Sequence, residues 1–326
     1  MKEYKAFLDL FSFHLEKHSA GLAGKFPKEL YEPESYILSL GGKRLRPLLA
    51  LIACDLFDKD PKMALDAALA VELFHNFSLV HDDILDAAPL RRNKPTVHVK
   101  WNSNIAILSG DVMLVKAVQT LESYDAPVFK TLSILFNKTA IEVCEGQQLD
   151  MNFENLKVVS VKEYLNMITL KTAVLLGCSL QMGAITSSAS SKNQENLYAF
   201  GKHLGISFQL LDDVLDAFAE DSEKFGKQTG GDIIANKKTF LLLKALELAD
   251  SAQSKEIQNL MQLTDKAQKI KGMLSVYTQL NIKQLCKEEA DKHTQLAIES
   301  LDKIEASISK KENLKRFALE LLNRQV

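Results

Sequence analysis

Six aspartates in two short turns limit what this chain can fold into. Val80-His81-Asp82-Asp83-Ile84-Leu85-Asp86 places three carboxylates within five residues of an otherwise apolar helical stretch. Leu211-Asp212-Asp213-Val214-Leu215-Asp216 repeats the design after another apolar run. On a helix the first and last acids of such a turn share a face, with the middle acid beside them. Ionised carboxylates at that spacing repel one another and are expensive to bury without a positive partner. Two Asp-Asp-x-x-Asp turns, each on its own helix, could face each other across a cavity and hold several Mg²⁺ ions. That metal takes oxygen ligands, keeps some of its waters and bridges a few carboxylates to substrate phosphates. One such turn is weak evidence, because acidic helix starts are common; two in apolar sequence are much stronger.

Around these turns the sequence reads as helix. With 14 Gly and 7 Pro in 326 residues there is little turn material for many strands, and no β-type alternation of useful length or fixed-period repeat is evident. Helical spacing is expected over 3–20, from Pro33 to Gly41-Gly42, and from Pro47 through Leu56. It resumes over 62–87, 104–121, 127–149, 161–186, 194–219, 238–249 and most of 254–325. The polar, basic stretch Ala88–Thr96, the segment Asn152–Ser160 and the glycine-punctuated Gly226–Asn236 read as loops. The expectation is one all-α domain over 1–326. Hydrophobic residues at 46% and charged residues at 25% fit a soluble globular protein. A net charge of −2 argues against a general nucleic-acid binder. No stretch approaches the roughly 18 consecutive apolar residues of a membrane span, and the charged start Met1-Lys2-Glu3 has no signal-type run. Cys54, Cys144, Cys178 and Cys286 are scattered and read as buried thiols in a reducing compartment. A cytoplasmic location is expected.

Each acidic turn is followed by a basic loop. Arg91-Arg92 come five and six residues after Asp86, and Gly226-Lys227 with Lys237-Lys238 flank Asp232 after the second turn. A third basic feature precedes both: Gly41-Gly42-Lys43-Arg44-Leu45-Arg46-Pro47, where glycines free the backbone and cations cluster at a helix start, a phosphate cradle in the making. Each loop alone is equally well a solvated basic turn. Together they suit a substrate with polyanionic ends, because metals and cations can share its oxygens.

With these stretches in order, the chain resembles the trans-isoprenyl diphosphate synthases, the short-chain polyprenyl synthetase family. The resemblance rests on Gly-Gly-Lys-Arg-Leu-Arg-Pro (41–47), His-Asp-Asp-Ile-Leu-Asp (81–86), Leu-Arg-Arg-Asn-Lys-Pro-Thr-Val-His (90–98), Lys171-Thr172, Phe208-Gln209 through Asp216, and Gly-Lys-Gln-Thr-Gly-Gly-Asp-Ile (226–233). It implies an all-α isoprenoid synthase type I fold, a helical bundle around a deep central well, usually as a homodimer. It also implies condensation of isopentenyl diphosphate with an allylic diphosphate, with three Mg²⁺ ions held when substrate is bound. Asp82, Asp83, Asp86, Asp212, Asp213 and Asp216 would hold the metal. Arg91, Lys171, Lys227 and Lys237 would grip the allylic diphosphate, and Lys43, Arg46, His75 and Arg92 would bind isopentenyl diphosphate. Thr172 and Gln209 would line the developing cation. Asn93 stands where the family usually has glycine.

A lone histidine among Phe74, Phe77 and Leu79 is more often a satisfied core residue than a ligand, but His75 lies seven residues before Asp82 on nearly the same face. His81 and His98 read as structural groups or as supports behind the ligand residues. Phe74, Ser78 and Asp82 are successive i, i+4 positions, and Phe77 lies about 7.5 Å along the axis from Asp82, the depth at which a growing prenyl tail would meet its ring. Phe74 lies one turn deeper. Within the resemblance, one ring beside small Ser78 fits a C15–C20 product, with C20 favoured. Two other readings are weaker. A class I terpene cyclase has no need of Lys43, Arg46 and Arg92, and a non-catalytic partner subunit would be expected to have lost part of one Asp cluster.

Overall fold

The computed structural model describes residues 4–219 and 230–323. The chain is 80% helical, and the strands among the described residues are one antiparallel ladder pairing Leu90 with Pro95 and Arg91 with Lys94. The helices that matter for the site are α1 (Lys5–Ala20), α2 (Lys28–Ser39), α3 (Leu45–Leu56), α4 (Leu65–Leu85), α5 (Val97–Lys100), α6 (Ser103–Thr120), α7 (Ala126–Asn155), α8 (Val161–Ile168), α9 (Val174–Thr186) and α10 (Ser191–Phe218). Local chemistry sets several starts. The Asn102 side chain accepts from the Ile105 N–H at the head of α6. Ser160 and Glu163 cap the head of α8 reciprocally, which supplies donors and acceptors the first turn lacks. Pro33, expected to open the second helix, lies inside α2, which starts after extended Pro27.

The described chain divides into two compact units. The first comprises Met1–Ala140, Leu175–Tyr198 and Lys303–Leu314. Its centre is α3, where nine of twelve residues are buried, and α4, which packs against both α3 and α6. Helices apolar on nearly every face belong in a core, and these two are. Residues 175–186 approach α3 so closely that a Cβ on Gly183 would lie 2.0 Å from the Ala50 carbonyl oxygen.

The second unit comprises Ile141–Val174, Ala199–Asp302 and Lys315–Val326. Its core gathers Tyr164, Leu210, Val214, Phe240, Ile257, Met273, Tyr277 and Cys286. Between α8 and α9 the helix widens for one turn, Thr169–Ala173, into a π-helix, where the sequence predicted a continuous α-helix over 161–186. A Cβ on Gly146 would lie 2.2 Å from the Lys171 backbone nitrogen, and one on Gly205 would lie 2.6 Å from the Ala173 Cα. Two glycines thus seat the widened turn.

Cys54, Cys178 and Cys286 are buried free thiols as expected; Cys144 departs from expectation and is exposed. Among the described residues three helices are long and apolar enough to cross a membrane by length and composition. Their most apolar windows, in Pro61–Leu85, Val161–Thr186 and Ser103–Ser123, are 67%, 72% and 33% buried within the protein. The first two are core helices by that measure, whereas the third keeps an uncovered face.

On α10, His203 stacks on His293 of the helix Ile282–Asp302, with ring centroids 5.3 Å apart and Nδ1 atoms 3.0 Å apart. Burial, and then the neighbouring His293, bring the His203 pKa down from 6.5 to about 4. The folded chain therefore binds this proton more weakly than the unfolded one, so the stability involved is complete above about pH 6.5 and is lost as pH falls toward 4. His203→Gln should flatten the fall in thermal midpoint across that window. An unchanged slope would show that the histidine pair is not the acid-sensitive element.

Candidate active site

Each acidic turn spends its middle carboxylate on the protein. In the first unit Asp83 is buried and accepts two hydrogen bonds from Arg91, from Nε and Nη2, both at 2.8 Å. Such a bidentate, charge-assisted pair offsets the cost of burying the acid. Asp82 is partly buried and Asp86 exposed. Arg91 thus reaches an aspartate of its own chain, and Asp83 has both oxygens engaged.

The loop after α4 is a tight hairpin. Arg92 and Asn93 both take the left-handed region, with φ of 52° and 60°, as a two-residue primed turn requires. Asparagine tolerates that region better than most residues, which accounts for Asn93 at the usual glycine position. The turn throws Arg92 back onto the glycine pair, where Nη1 donates to the Gly41 carbonyl. A Cβ on Gly42 would lie 2.7 Å from that guanidinium. Arg44, also left-handed with φ 47°, donates to buried Glu72 and to the Leu38 carbonyl.

Arg46 and His75, 29 residues apart, meet with Nη1 at 3.2 Å from Nε2. Burial, and then the Arg46 charge, hold His75 well below its usual pKa, so it is neutral and accepts from Arg46. Burial lowers Arg46 to about 10, leaving it a cation at neutral pH. Its Nε is buried with no hydrogen-bond partner among the described residues, an orphaned donor that suits an incoming anion. Lys43 is exposed. Below Asp82, the rings of Phe74 and Phe77 lie 5.6 Å apart and those of Phe74 and Phe136 lie 5.5 Å apart. Phe136, on α7, is a third ring that the sequence did not single out. Ser78, partly buried, donates to the His75 carbonyl. His81 Nε2 lies 3.1 Å from the Ile107 carbonyl oxygen over Gly110, where a Cβ would approach to 2.4 Å.

The second unit repeats the logic with different partners. Asp213 is buried and accepts from the Tyr164 hydroxyl and, at 3.1 Å, from the Gln209 amide. Burial pushes its carboxyl up to about 7, against the pull of those two donors. Gln209 in turn accepts from the Thr172 hydroxyl at 3.3 Å. Asp212 is exposed, while Asp216 is partly buried and accepts from the Asp232 N–H at 3.0 Å. The π turn presents Lys171, whose Nζ lies 2.5 Å from Asp150, with Lys237 3.9 Å from the same carboxylate. Lysines 66 positions apart thus converge on one acid. Tyr164 stands next to no acidic turn, so the sequence does not single it out; Asp150 closes Glu145-Gly146-Gln147-Gln148-Leu149-Asp150, which resembles the family's helix facing the well and carries no assigned role in sequence. Lys227 lies outside the described residues.

The outer acids are oxygen-only donors, the set that suits Mg²⁺ rather than a soft metal. Among the described residues no three His, Cys, Asp or Glu side chains form a ready-made metal cluster. Mg²⁺ needs none, because it binds through one or two carboxylates with substrate phosphates and water.

The polyprenyl synthetase family profile matches residues 27–279. The chain belongs to the polyprenyl synthetase family. It is 40% identical over 286 residues to a geranylgeranyl diphosphate synthase of Saccharolobus solfataricus, covering 86% of this chain and 85% of that one. A geranylfarnesyl diphosphate synthase of Natronomonas pharaonis is 36% identical over 267 residues, covering 74% of this chain and 78% of the relative. The crystal structure of a geranylgeranyl pyrophosphate synthase matches with a TM-score of 0.93 at 44% identity, over 99% of both chains. This polyprenyl synthetase is a trans-prenyltransferase with the all-α isoprenoid synthase fold.

Tyr164→Phe keeps the buried ring but removes the hydroxyl that orients Asp213. It should lower kcat of prenyl transfer about tenfold, equivalent to ~1.4 kcal/mol in the barrier, with KM little changed. Wild-type turnover in this variant would show that the Asp213 carboxyl is oriented without the phenol.

Proposed function

We propose that the enzyme condenses isopentenyl diphosphate head-to-tail with dimethylallyl, geranyl or farnesyl diphosphate in the presence of Mg²⁺, giving a C15–C20 product with C20 favoured. The observation that carries this reading is the division of labour in the two acidic turns. Asp83 and Asp213 are buried and hydrogen-bonded within their own units, and each turn keeps an exposed outer acid, Asp86 and Asp212. Asp82, Asp86, Asp212 and Asp216 would hold the metal, with Asp83 and Asp213 fixing the turns that carry them. When bound, Mg²⁺ neutralises the charge of the leaving diphosphate. Lys171 and Lys237, gathered at Asp150, are placed to add cationic donors to that diphosphate, as Lys227 and Arg91 would. Arg46 brings its orphaned Nε and neutral His75 to the second substrate, beside Lys43 and Arg92. Thr172 and Gln209 offer oxygen dipoles to a developing allylic cation. Diphosphate leaves once its charge is matched, so the chain needs no protein nucleophile.

Product length follows from the rings under Asp82. Phe74 and Phe136 are 1% exposed and Phe77 8%, a floor with one ring and one small residue, Ser78, at its upper level. The relative named for a geranylgeranyl product supports C20, and the one named for a geranylfarnesyl product is one isoprene unit longer. We also place the enzyme in the cytoplasm as a homodimer. Leu108 and Val115, one heptad apart on α6, are 58% and 67% exposed, and Ile134 on α7 is 62% exposed; a second copy would cover them.

Asp82→Ala and Asp212→Ala should each reduce turnover by roughly two or more orders of magnitude, as loss of charge stabilisation in the transition state does, with far-UV circular dichroism unchanged. Full activity in either variant, or in excess chelator, would overturn metal-assisted transfer. Phe77→Ala should lengthen the product by at least one isoprene unit, read by reverse-phase chromatography. An unchanged distribution would move the floor to other residues.

A further inference from the structure

We propose that a cleft in the first unit, walled by α1 and α6, is a second anion site that takes a phosphoryl group. The cleft has a volume of about 480 Å³, and its charged lining comprises His14, Lys17, His18, Lys25, Lys116 and Asp66. That volume lies within the range of roughly 300–1,000 Å³ typical of small-molecule sites. None of these residues belongs to the acidic turns or basic loops, and the inference does not rest on the proposed reaction.

The lining is built from two helix faces. His14, Lys17, His18 and Gly21 follow one stripe of α1, and Lys116, Gln119 and Thr120 follow one of α6. Behind them Glu34 is fully buried and ties the two faces together, accepting from His18 Nε2 at 2.9 Å and Lys116 Nζ at 2.5 Å. Lys116 and Lys25 also stand over the Tyr31 ring, at 4.7 and 5.5 Å from its centroid. Asp66, the one carboxylate in the lining, is engaged by His14 Nε2 at 3.0 Å. That hydrogen bond is the chief cause that draws its carboxyl below the usual range, and Lys17 adds to the effect.

Three lysines therefore stand against two carboxylates, Asp66 in the lining and Glu34 behind it, and both acids are already engaged. The cleft holds an excess of positive charge and several N–H donors. Ammonium groups act as point charges toward phosphate, and a multiply charged phosphoryl group is the ligand whose charge and acceptor oxygens match this lining. Leu22 and Leu69 add an apolar wall. Free inorganic diphosphate and a prenyl diphosphate carry the same head group, and the wall gives the second a place for its tail.

Isothermal titration of the full chain with inorganic diphosphate, in chelator, tests the site. The comparison is the double variant Lys17→Gln/Lys25→Gln, whose two positions are exposed, with Arg92→Ala as a marker for binding at the catalytic residues. The double variant should lose one binding event, weakened about tenfold or more, and Arg92→Ala should retain it. Prenyl transfer by the double variant should stay within about twofold of wild type. A repeat with a farnesyl thiodiphosphate separates the sources: tighter binding than inorganic diphosphate assigns the site to the prenylated ligand, and equal binding to free diphosphate. Identical isotherms for wild type and double variant would overturn the proposal.

Discussion

A carboxylate inside an apolar helix must be matched by a partner, and the polar framework of this protein follows from that constraint. Two acidic turns carry three aspartates each, and each buries the middle one. Asp83 is matched by a bidentate arginine, whereas Asp213 is matched by a phenol and an amide. The difference shows in their surroundings. Burial pushes the Asp213 carboxyl up to about 7 against the pull of its two neutral donors. In both turns the buried acid acts as an anchor that sets the direction of the outer two.

The basic groups are placed by backbone devices rather than by helix faces. Arg92 and Asn93 take left-handed conformations in sequence, and Gly42 leaves room for the guanidinium that results. One extra residue in the turn Thr169–Ala173 re-aims Lys171 and Thr172, and Gly146 and Gly205 make the space for it. π turns of this kind cost regular hydrogen bonding and recur at functional sites. Such positions explain why glycine and asparagine stand among the charged residues.

Much of this was legible in the sequence, for identifiable reasons. The helix predicted over 62–87 is found as Leu65–Leu85 after a short turn at Pro61, because its apolar residues leave few other conformations. The Asp turns were legible because acids in apolar sequence are conspicuous. What escaped notice depends on tertiary contact. Tyr164 reads as one more helical apolar residue until it meets Asp213 forty-nine positions later. Asp150 stands in a stretch that resembles the family's well-facing helix, but its part in gathering Lys171 and Lys237 depends on contacts across the fold. The π turn has no signature in hydrophobic periodicity, which continues across it. Arg91 is expected from sequence to grip the allylic diphosphate, and its bidentate contact with Asp83 depends on the hairpin that turns it back.

If the enzyme elongates prenyl chains above a floor of aromatic rings, its products report it. The decisive experiment is product analysis with labelled isopentenyl diphosphate and, in separate reactions, dimethylallyl, geranyl and farnesyl diphosphate. All three starters are expected to converge on a C20 diphosphate when Mg²⁺ is supplied. Failure to form any elongated diphosphate under those conditions, or elongation running well beyond C20 from every starter, would contradict it.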